Sequence, residues 1–267
     1  DVVHPLRDGV IADLDAATAM LQAFLRRVRL RRGVRRGSAV VCVPSGATWV
    51  ERRSLAAAME AQRPRCTVRL VDEPVAAAAG AGFGRPDGAG AFMVDIGGGT
   101  TEAAVLAGAH VVRVRSLRLG GNAMDEAVMQ AVKAELGLLI GRNAARNLKT
   151  TLGVGEGAAE WMEVVGVDAA RRTPRVEYVS ARLVADALDR PVASIAESAQ
   201  EMLSDIPPNL AEDVVRGKIR LAGGGALLPG LASKIEAVAD IPAVVVDDPL
   251  RCVVRGAAEI LEQGGGS

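Results

Sequence analysis

Hydrophobic residues in the first third of the chain recur with two different periods. From Leu14 to Val28 they fall at intervals of about three or four residues, which predicts an amphipathic helix. Further on, short apolar runs typical of buried strands alternate with segments of helical pattern. In chain order these are a strand at 38–43, a helix at 48–62, a strand at 67–71, an Ala-rich helix opened by Glu73-Pro74, and a strand at 91–95. Strands that alternate with helices are typical of an α/β fold.

The rest of the chain continues this alternation, with one weakly patterned stretch at 153–175. Two adjacent apolar segments at 102–106 and 110–117 predict paired strands with a turn near Gly108. The other predicted elements are helices at 123–136 and 142–152, a strand at 176–180, two helices at 180–187 and 191–204, a strand at 219–222, a helix at 231–238, a strand at 243–246 and a last helix at 252–261.

Composition narrows the class of protein. Hydrophobic residues make up 49% of the 267 residues but aromatic residues only 2%, so the core is expected to consist of Ala, Val, Leu and Ile. Lysine plus arginine and aspartate plus glutamate both number 32, and this balance argues against nucleic acid as the main partner. Cys42, Cys66 and Cys252 lie far apart, which predicts small core residues in a reducing cytosol. No apolar run approaches the roughly 18 residues that a membrane-spanning helix needs.

Two glycine-rich loops follow predicted strands and carry the candidate chemistry. The first comprises Asp95, then Gly97-Gly98-Gly99, then Thr100. Glycines let backbone N–H groups approach a phosphate closely, because no Cβ obstructs them. An aspartate at the end of a strand can hold the magnesium ion that accompanies phosphates, usually through water, and Thr100 can add a hydroxyl donor. Taken alone, the loop is equally compatible with an ordinary glycine turn.

The second loop, Gly223-Gly224-Gly225-Ala226, follows the strand predicted at 219–222. Its glycines allow the backbone to lie against a flat base or a ribose. Neither loop matches a Walker loop, which requires Gly-Lys-Ser/Thr, and neither matches the dinucleotide-binding glycine pattern.

In their order and spacing, the two loops resemble the phosphate and adenosine loops of the actin-like ATPase superfamily, and further motifs are similar to those of MreB-type rod-shape proteins. These motifs are Gly9-Val10-Ile11-Ala12-Asp13, Cys42-Val43-Pro44-Ser45-Gly46-Ala47-Thr48, Asp72-Glu73-Pro74-Val75-Ala76-Ala77-Ala78, Gly120-Gly121-Asn122-Ala123-Met124-Asp125-Glu126, Leu139-Ile140-Gly141 and Pro207-Pro208-Asn209-Leu210. The resemblance covers nearly the whole chain, from Asp1 to about Leu261.

The resemblance implies a duplicated actin-like (ribonuclease-H-like) α/β ATPase fold with two domains around a cleft. The expected boundaries are a first domain at 1–90, rejoined by 251–263, a second domain at 91–250 with an inserted subdomain at about 128–190, and a flexible tail at 264–267. The first phosphate loop of the family has no counterpart in the sequence, so the first domain is expected to be truncated at its N-terminus.

The resemblance also implies a set of site residues for ATP and magnesium. Glu73 matches the position that polarises or orients the attacking water, although an acidic helix start stabilised by the helix dipole is the plainer interpretation. Asp95 would hold magnesium through water. The other matches are Gly97, Gly98, Gly99 and Thr100 in the phosphate loop, Gly120, Gly121 and Asn122 at the cleft wall, Arg146 and Lys149 beside adenine and ribose, and Gly223, Gly224, Gly225 and Ala226 in the adenosine loop.

One substitution departs from the family pattern at this site. The family has Glu-x-x-Lys where this chain has Arg146 and Lys149, so a cation replaces an acceptor for the ribose hydroxyls. Arg142 likewise stands where the family usually has an acid. Because Arg146 replaces the acceptor for the ribose hydroxyls, we expect weaker nucleotide binding than the family pattern alone implies.

The implied function is that of a bacterial cytoskeletal protein that polymerises with itself into membrane-associated filaments and organises cell-wall synthesis. The implied location is the cytoplasmic face of the plasma membrane, with the cell-wall elongation machinery as partner. The basic residues from Arg26 to Arg36 are typical of a solvated helix end, or alternatively of contact with an anionic membrane surface. Two alternatives stay open: a degenerate scaffold that does not hydrolyse nucleotide, and a chaperone-type ATPase of the same superfamily.

Overall fold

The computed structural model describes residues 3–7, 9–27, 37–62, 66–83, 89–155, 159–204 and 206–264. Within these ranges the strands are β1 (Leu6–Arg7), β2 (Val10–Ile11), β3 (Gly37–Val43), β4 (Cys66–Asp72), β5 (Gly90–Ile96), β6 (Thr101–Ala107), β7 (His110–Leu117), β8 (Leu138–Leu139), β9 (Trp161–Asp168), β10 (Pro174–Ser180), β11 (Ile219–Ala222) and β12 (Ala243–Val245). The helices are α1 (Leu14–Arg27), α2 (Trp49–Gln62), α3 (Glu73–Gly80), α4 (Gly121–Leu136), α5 (Arg142–Leu152), α6 (Ala181–Leu203), α7 (Pro208–Gly217), α8 (Leu231–Ala239) and α9 (Cys252–Gly264), with a 3-10 helix at Gly224–Leu227.

A five-stranded mixed sheet with the order β12-β11-β5-β6-β7 lies at the centre of the fold. β11 runs parallel to β5 and β12, whereas β5, β6 and β7 pair antiparallel. Every residue of β5 is buried, and its side chains alternate between the two faces of the sheet. Phe92, Val94 and Ile96 belong to the larger core, while Met93 packs in a smaller core with Ala77 and Cys252.

The two cores consist almost entirely of aliphatic side chains, as the composition predicts. Among the described residues Phe92 is the one buried aromatic side chain. Cys252 is a buried core residue as expected, but Cys42 and Cys66 are only partly buried. No helix within the described ranges combines the length and apolar character needed to cross a membrane.

A second sheet, with the order β10-β9-β8, lies beside the helices α5 and α6. Its central strand β9 lies within the stretch 153–175, where the sequence shows no clear pattern. The prediction missed this strand because both of its faces carry apolar residues. Val164 points into the core, while Trp161, Val165 and Val167 are exposed, so hydrophobic and polar positions do not alternate.

Helix α6 runs without a break from Ala181 to Leu203, so the prediction of two helices divided near Pro191 is wrong. Ser180 caps its start by accepting a hydrogen bond from the Leu183 amide at 3.2 Å. Proline inside a helix costs about 3 kcal/mol. The helix tolerates this because buried residues on both sides of Pro191, including Leu188 and Ile195, anchor one continuous face in the core.

Helices α3 and α9 pack against each other at backbone contact distance. A Cβ added to Gly256 would lie 1.8 Å from the Ala76 carbonyl oxygen, and one added to Gly80 would lie 1.9 Å from the Cys252 carbonyl oxygen. Only glycine fits at either position. The last helix, α9, therefore packs against α3, the helix that begins at Glu73. The domain boundaries expected from the sequence stay a prediction, and residues 265–267 of the expected tail lie outside the described ranges.

Candidate functional site

The parallel pairing of β5 and β11 brings the two glycine loops together. Asp95 and Ala222 are partners in the strand register, so the loops that follow them leave the same edge of the sheet. Gly223 adopts a positive φ of 79°, and a Cβ on it would lie 2.5 Å from Asp95 Oδ1 and 2.4 Å from the Ile96 carbonyl oxygen. Glycine is required here by loop contact and backbone conformation together.

The remainder of the second loop packs on the end of β5. A Cβ on Gly225 would lie 2.2 Å from Ile96 Cγ2, and one on Gly224 would lie 3.1 Å from Leu250. Ala226 is buried within the 3-10 helix, where its amide donates to the Gly223 carbonyl at 3.3 Å. The sequence predicted these glycines as ligand contacts, which stays a prediction; the structure shows that they join two loops.

A third segment, Gly120-Gly121-Asn122 at the start of α4, is held against the first loop by backbone hydrogen bonds. The Gly121 amide donates to the Gly97 carbonyl at 3.0 Å, and the Asn122 amide donates to the Gly98 carbonyl at 2.8 Å. Gly120 fits because a Cβ would approach the Gly97 carbonyl oxygen to 2.7 Å. The first loop is itself closed by a hydrogen bond from the Gly97 amide to the carbonyl of buried Thr100, at 2.8 Å.

Acidic side chains gather beside these loops. Glu73 begins α3 directly after β4, and Asp95 lies one residue before the end of β5. Burial, followed by the negative charges of Asp95, Glu102 and Asp72, raises the pKa of Glu73 from 4.5 to about 8. Burial and the charge of Glu102 raise the pKa of Asp95 from 3.8 to about 6. These carboxyl groups therefore repel one another when ionised.

This cluster of carboxylates is suited to a cation whose other ligands are waters and phosphate oxygens. Within the described ranges, no group of three or more His, Cys, Asp or Glu side chains is arranged to hold a metal ion by itself. Magnesium commonly keeps several waters and binds through one or two carboxylates together with phosphate oxygens. The donor set around Asp95 fits this mode of binding, and a magnesium ion would oppose the repulsion that, together with the larger effect of burial, raises the carboxyl pKa values.

Glu102 lies two residues after the first glycine loop, in β6, and was not predicted as a site residue. It is 1% exposed, and its carboxylate accepts hydrogen bonds from the Ser45 amide at 2.8 Å and the Ser45 hydroxyl at 3.3 Å. It therefore ties β6 to the loop that follows β3. Burial raises its pKa most strongly, and its hydrogen bonds with Ser116, Ser45 and Gly46 oppose that rise. The available signal was an acidic residue inside an otherwise apolar strand.

Lys149 on α5 reaches the third loop from the other side. Its ammonium donates to the Gly121 carbonyl at 2.6 Å and lies 2.5 Å from Asp125 Oδ1, and both side chains are buried. Arg146, one helical turn earlier, lies 3.5 Å from Asp125 Oδ2, and its side chain is 53% exposed. Asp125 is a second residue that the sequence did not single out. Lys149 thus contacts the loops directly, whereas the described contact of Arg146 is with Asp125.

The chain is similar to known proteins over nearly its whole length. Residues 1–265 match the profile of the MreB/Mbl protein family. The cell shape-determining protein MreB of Escherichia coli (strain K12) is 39% identical over 264 residues, which cover 97% of this chain and 76% of that protein. The cell shape-determining protein Mbl of Bacillus subtilis (strain 168) is 32% identical over 262 residues, covering 97% and 78%. The chain belongs to the MreB/Mbl family.

Solved structures confirm the expected actin-like ATPase fold of this family member. The crystal structure of MreB5 of Spiroplasma citri bound to AMPPNP matches with a TM-score of 0.89 and 29% identity, covering 98% of this chain and 79% of that one. The MreB5 structure bound to ADP also matches with a TM-score of 0.89. The MamK double helical filament, at 24% identity and a TM-score of 0.83, shares the fold. The chain is therefore an actin-like protein of a cytoskeletal family.

Proposed function

We propose that this chain binds ATP and ADP, with magnesium, where the three glycine segments converge. The observation that carries the proposal is the mutual contact of these segments beside Asp95. Gly223 lies against Asp95, and Gly121 and Asn122 donate to the carbonyls of Gly97 and Gly98. The related MreB5 structures contain AMPPNP and ADP, which supports an adenine nucleotide as the ligand.

In this proposal each residue of the site has one task. Gly97, Gly98, Gly99 and Thr100 hold the phosphates, and Gly223, Gly224, Gly225 and Ala226 lie against the adenosine. Gly120, Gly121 and Asn122 form the cleft wall that Lys149 supports. Asp95 holds magnesium through water, and that ion supplies positive charge to the phosphate oxygens and to the acidic cluster.

Glu73 orients the water that attacks the terminal phosphate. With a pKa of about 8 it is mostly protonated at neutral pH, a state in which it accepts hydrogen bonds poorly. Burial is the main cause of this rise, and positive charge near the cluster opposes the part caused by the neighbouring carboxylates. Glu73 therefore becomes a better acceptor for water when the nearby negative charge is neutralised.

The chain assembles head to tail with further copies of itself into filaments. The support is its membership of a family of cell shape-determining proteins and its structural similarity to the MamK filament subunit. The filaments lie at the cytoplasmic face of the plasma membrane and organise the cell-wall elongation machinery. Exposed Arg26 and Arg27 at the end of α1 are suited to contact with anionic lipids.

A non-hydrolysing scaffold is the second candidate, and Arg146 favours it. This guanidinium lies next to the buried Asp125, where the family pattern places an acceptor for ribose hydroxyls. A cation there removes one favourable contact with nucleotide. The chaperone-type alternative loses its support, because the chain matches the MreB/Mbl family along residues 1–265.

Titration of the chain with a fluorescent ATP analogue and magnesium tests the proposal. Saturable binding that unlabelled ATP displaces, and that Gly223→Val abolishes, is the expected result, because a side chain at 223 collides with Asp95 and Ile96. Gly217→Val is the matched control, since a Cβ at Gly217 meets no atom within 4 Å. Folded protein that binds no nucleotide would refute nucleotide binding and leave the scaffold.

A further inference from the structure

The outward face of the hairpin formed by β9 and β10 carries exposed apolar side chains. Its members, here called the hairpin face, are Trp161, Val165 and Val167 on β9 and Val176 and Tyr178 on β10, with exposed fractions of 60%, 61%, 37%, 52% and 60%. The opposite face of the same strands points into the core through Val164 and Val179, at 6% and 0%. Both sides of the hairpin therefore carry apolar side chains.

The strand register makes the hairpin face continuous. Val165 is directly opposite Val176, Val167 is opposite Pro174, and Trp161 is opposite Ser180. The Cβ atoms of residues directly opposite each other on antiparallel strands lie about 4.5–5.5 Å apart, so these cross-strand pairs form one continuous surface. Glu163 interrupts it with a carboxylate, but that group accepts a hydrogen bond from the Tyr178 hydroxyl at 3.0 Å.

The free edge of β10 is protected, whereas the hairpin face is not. β10 is an outer strand of its sheet, and its inward side chains Arg175 and Glu177 are charged. Arg175 is also paired with Asp168 at 2.6 Å. Inward-pointing charges on an edge strand oppose pairing with another strand. A partner is therefore expected to stack on the hairpin face rather than to extend the sheet.

We propose that the hairpin face binds the hairpin face of a second copy of this chain. The five side chains expose roughly 500 Å² of surface, taking about 150–250 Å² for each fully exposed side chain. Two such faces bury about 1,000 Å² in total, the lower limit for a specific interface. A single-sided patch of this size is at the upper end of what monomeric proteins expose.

The chemistry of the hairpin face favours a second copy over an unrelated protein. Its one charged group, Glu163, is engaged by Tyr178 within the same face, so no charge pattern selects a partner of opposite sign. The rest of the face is apolar, and every copy of the chain supplies a second face of the same kind, on which Glu163 keeps its hydrogen bond to Tyr178. The resulting contact is two-fold symmetric and closes on itself, unlike the head-to-tail contact of a filament. It does not depend on nucleotide.

Sedimentation velocity of the folded chain without nucleotide, over a micromolar concentration range, tests this inference. We expect a concentration-dependent monomer–dimer equilibrium. Val165→Glu should raise its dissociation constant at least about thirtyfold, because it buries a carboxylate opposite Val176, where, unlike Glu163, it has no tyrosine hydroxyl to donate to it. Val215→Glu is the matched control: Val215 is 55% exposed on α7, outside the hairpin face, and its substitution should leave the equilibrium unchanged.

Three results would overturn the inference. They are a chain that stays monomeric throughout, a Val165→Glu variant that dimerises like the parent chain, and a loss of dimer in Val215→Glu as large as in Val165→Glu. A chain that stays monomeric would indicate that the hairpin face binds a different protein. Circular dichroism confirms that each variant is folded, and Val176→Lys, on the facing strand, replaces Val165→Glu if that variant does not fold.

Discussion

The ammonium group of Lys149 lies 2.5 Å from the carboxylate of Asp125, and both side chains are buried. Apart from the cations Lys149 and Arg146, the described residues give the Asp125 carboxylate no hydrogen-bond donor. Lys149 also holds the Gly121 carbonyl, and the Gly121 amide in turn donates to Gly97. One buried ion pair thus connects α4 and α5 to the first glycine loop.

Lys149→Met is expected to lower the free energy of unfolding by about 3–5 kcal/mol, because it leaves a buried carboxylate with only a half-exposed arginine as counterion. Urea denaturation measures the change. The double variant Asp125→Leu/Lys149→Met should recover most of the loss, since it removes both charges. Lys234→Met, at an exposed lysine on α8, should change stability by less than about 0.5 kcal/mol. A double variant no more stable than Lys149→Met would refute the ion-pair explanation.

Arg146→Glu is expected to tighten nucleotide binding. The substitution removes a cation from the neighbourhood of Asp125 and restores an acceptor for ribose hydroxyls, an effect of roughly 1 kcal/mol or about fivefold in the dissociation constant. Titration with the fluorescent ATP analogue and magnesium measures it. Arg142→Glu makes the same change of net charge one turn earlier, at an exposed position, and should have little effect. Equal effects of both variants would indicate general electrostatics instead of a ribose contact.

Most of the longer strands and helices could be predicted from the sequence, because their hydrophobic residues follow a strand or helix pattern. Helix α7 and the two-residue strands β1, β2 and β8 were not predicted. β9 was not predicted, because its exposed positions Trp161 and Val165 are as apolar as its buried ones. α6 was divided in error at Pro191, because the long buried face that stabilises it depends on contacts with other elements.

The glycine loops of the candidate site were visible as local motifs, but their contacts were not. The approach of Gly223 to Asp95 follows from the parallel pairing of β11 with β5, two strands that are far apart in the sequence. Asp125 was part of a motif but was assigned no role, because an acidic residue near the start of a helix is common at solvated positions. Only the packing of α4 against α5 shows that it is buried beside Lys149.

The raised pKa of Glu73 predicts a pH dependence of stability. Its pKa in the folded chain is about 8, above the ordinary 4.5, so its contribution to stability is complete below pH 4.5 and is lost as the pH rises through 8. Glu73→Gln should therefore stabilise the nucleotide-free chain at pH 8.5 relative to pH 5, by on the order of 1–2 kcal/mol. Urea denaturation at the two pH values measures this. Glu135→Gln, at an exposed position on α4, should show no such difference.

Glu73→Gln should impair nucleotide hydrolysis, although it stabilises the nucleotide-free chain at high pH. If Glu73 orients the attacking water, Glu73→Gln should lower turnover about 100-fold while the dissociation constant of the ATP analogue changes little. Phosphate release measures turnover. Unchanged turnover in a folded variant would refute a role of Glu73 in hydrolysis.

The contact between α3 and α9 leaves no room for a side chain at Gly256. Its Cβ would lie 1.8 Å from the Ala76 carbonyl oxygen, so Gly256→Ala must push the two helices apart. We expect a loss of at least about 3 kcal/mol in the free energy of unfolding, the range of severe overpacking. Because α3 begins at Glu73, the displacement should also weaken nucleotide binding. Gly217→Ala, where the added Cβ meets no atom within 4 Å, should leave both quantities nearly unchanged. Equal stabilities of the two variants would show that α3 and α9 can separate without cost.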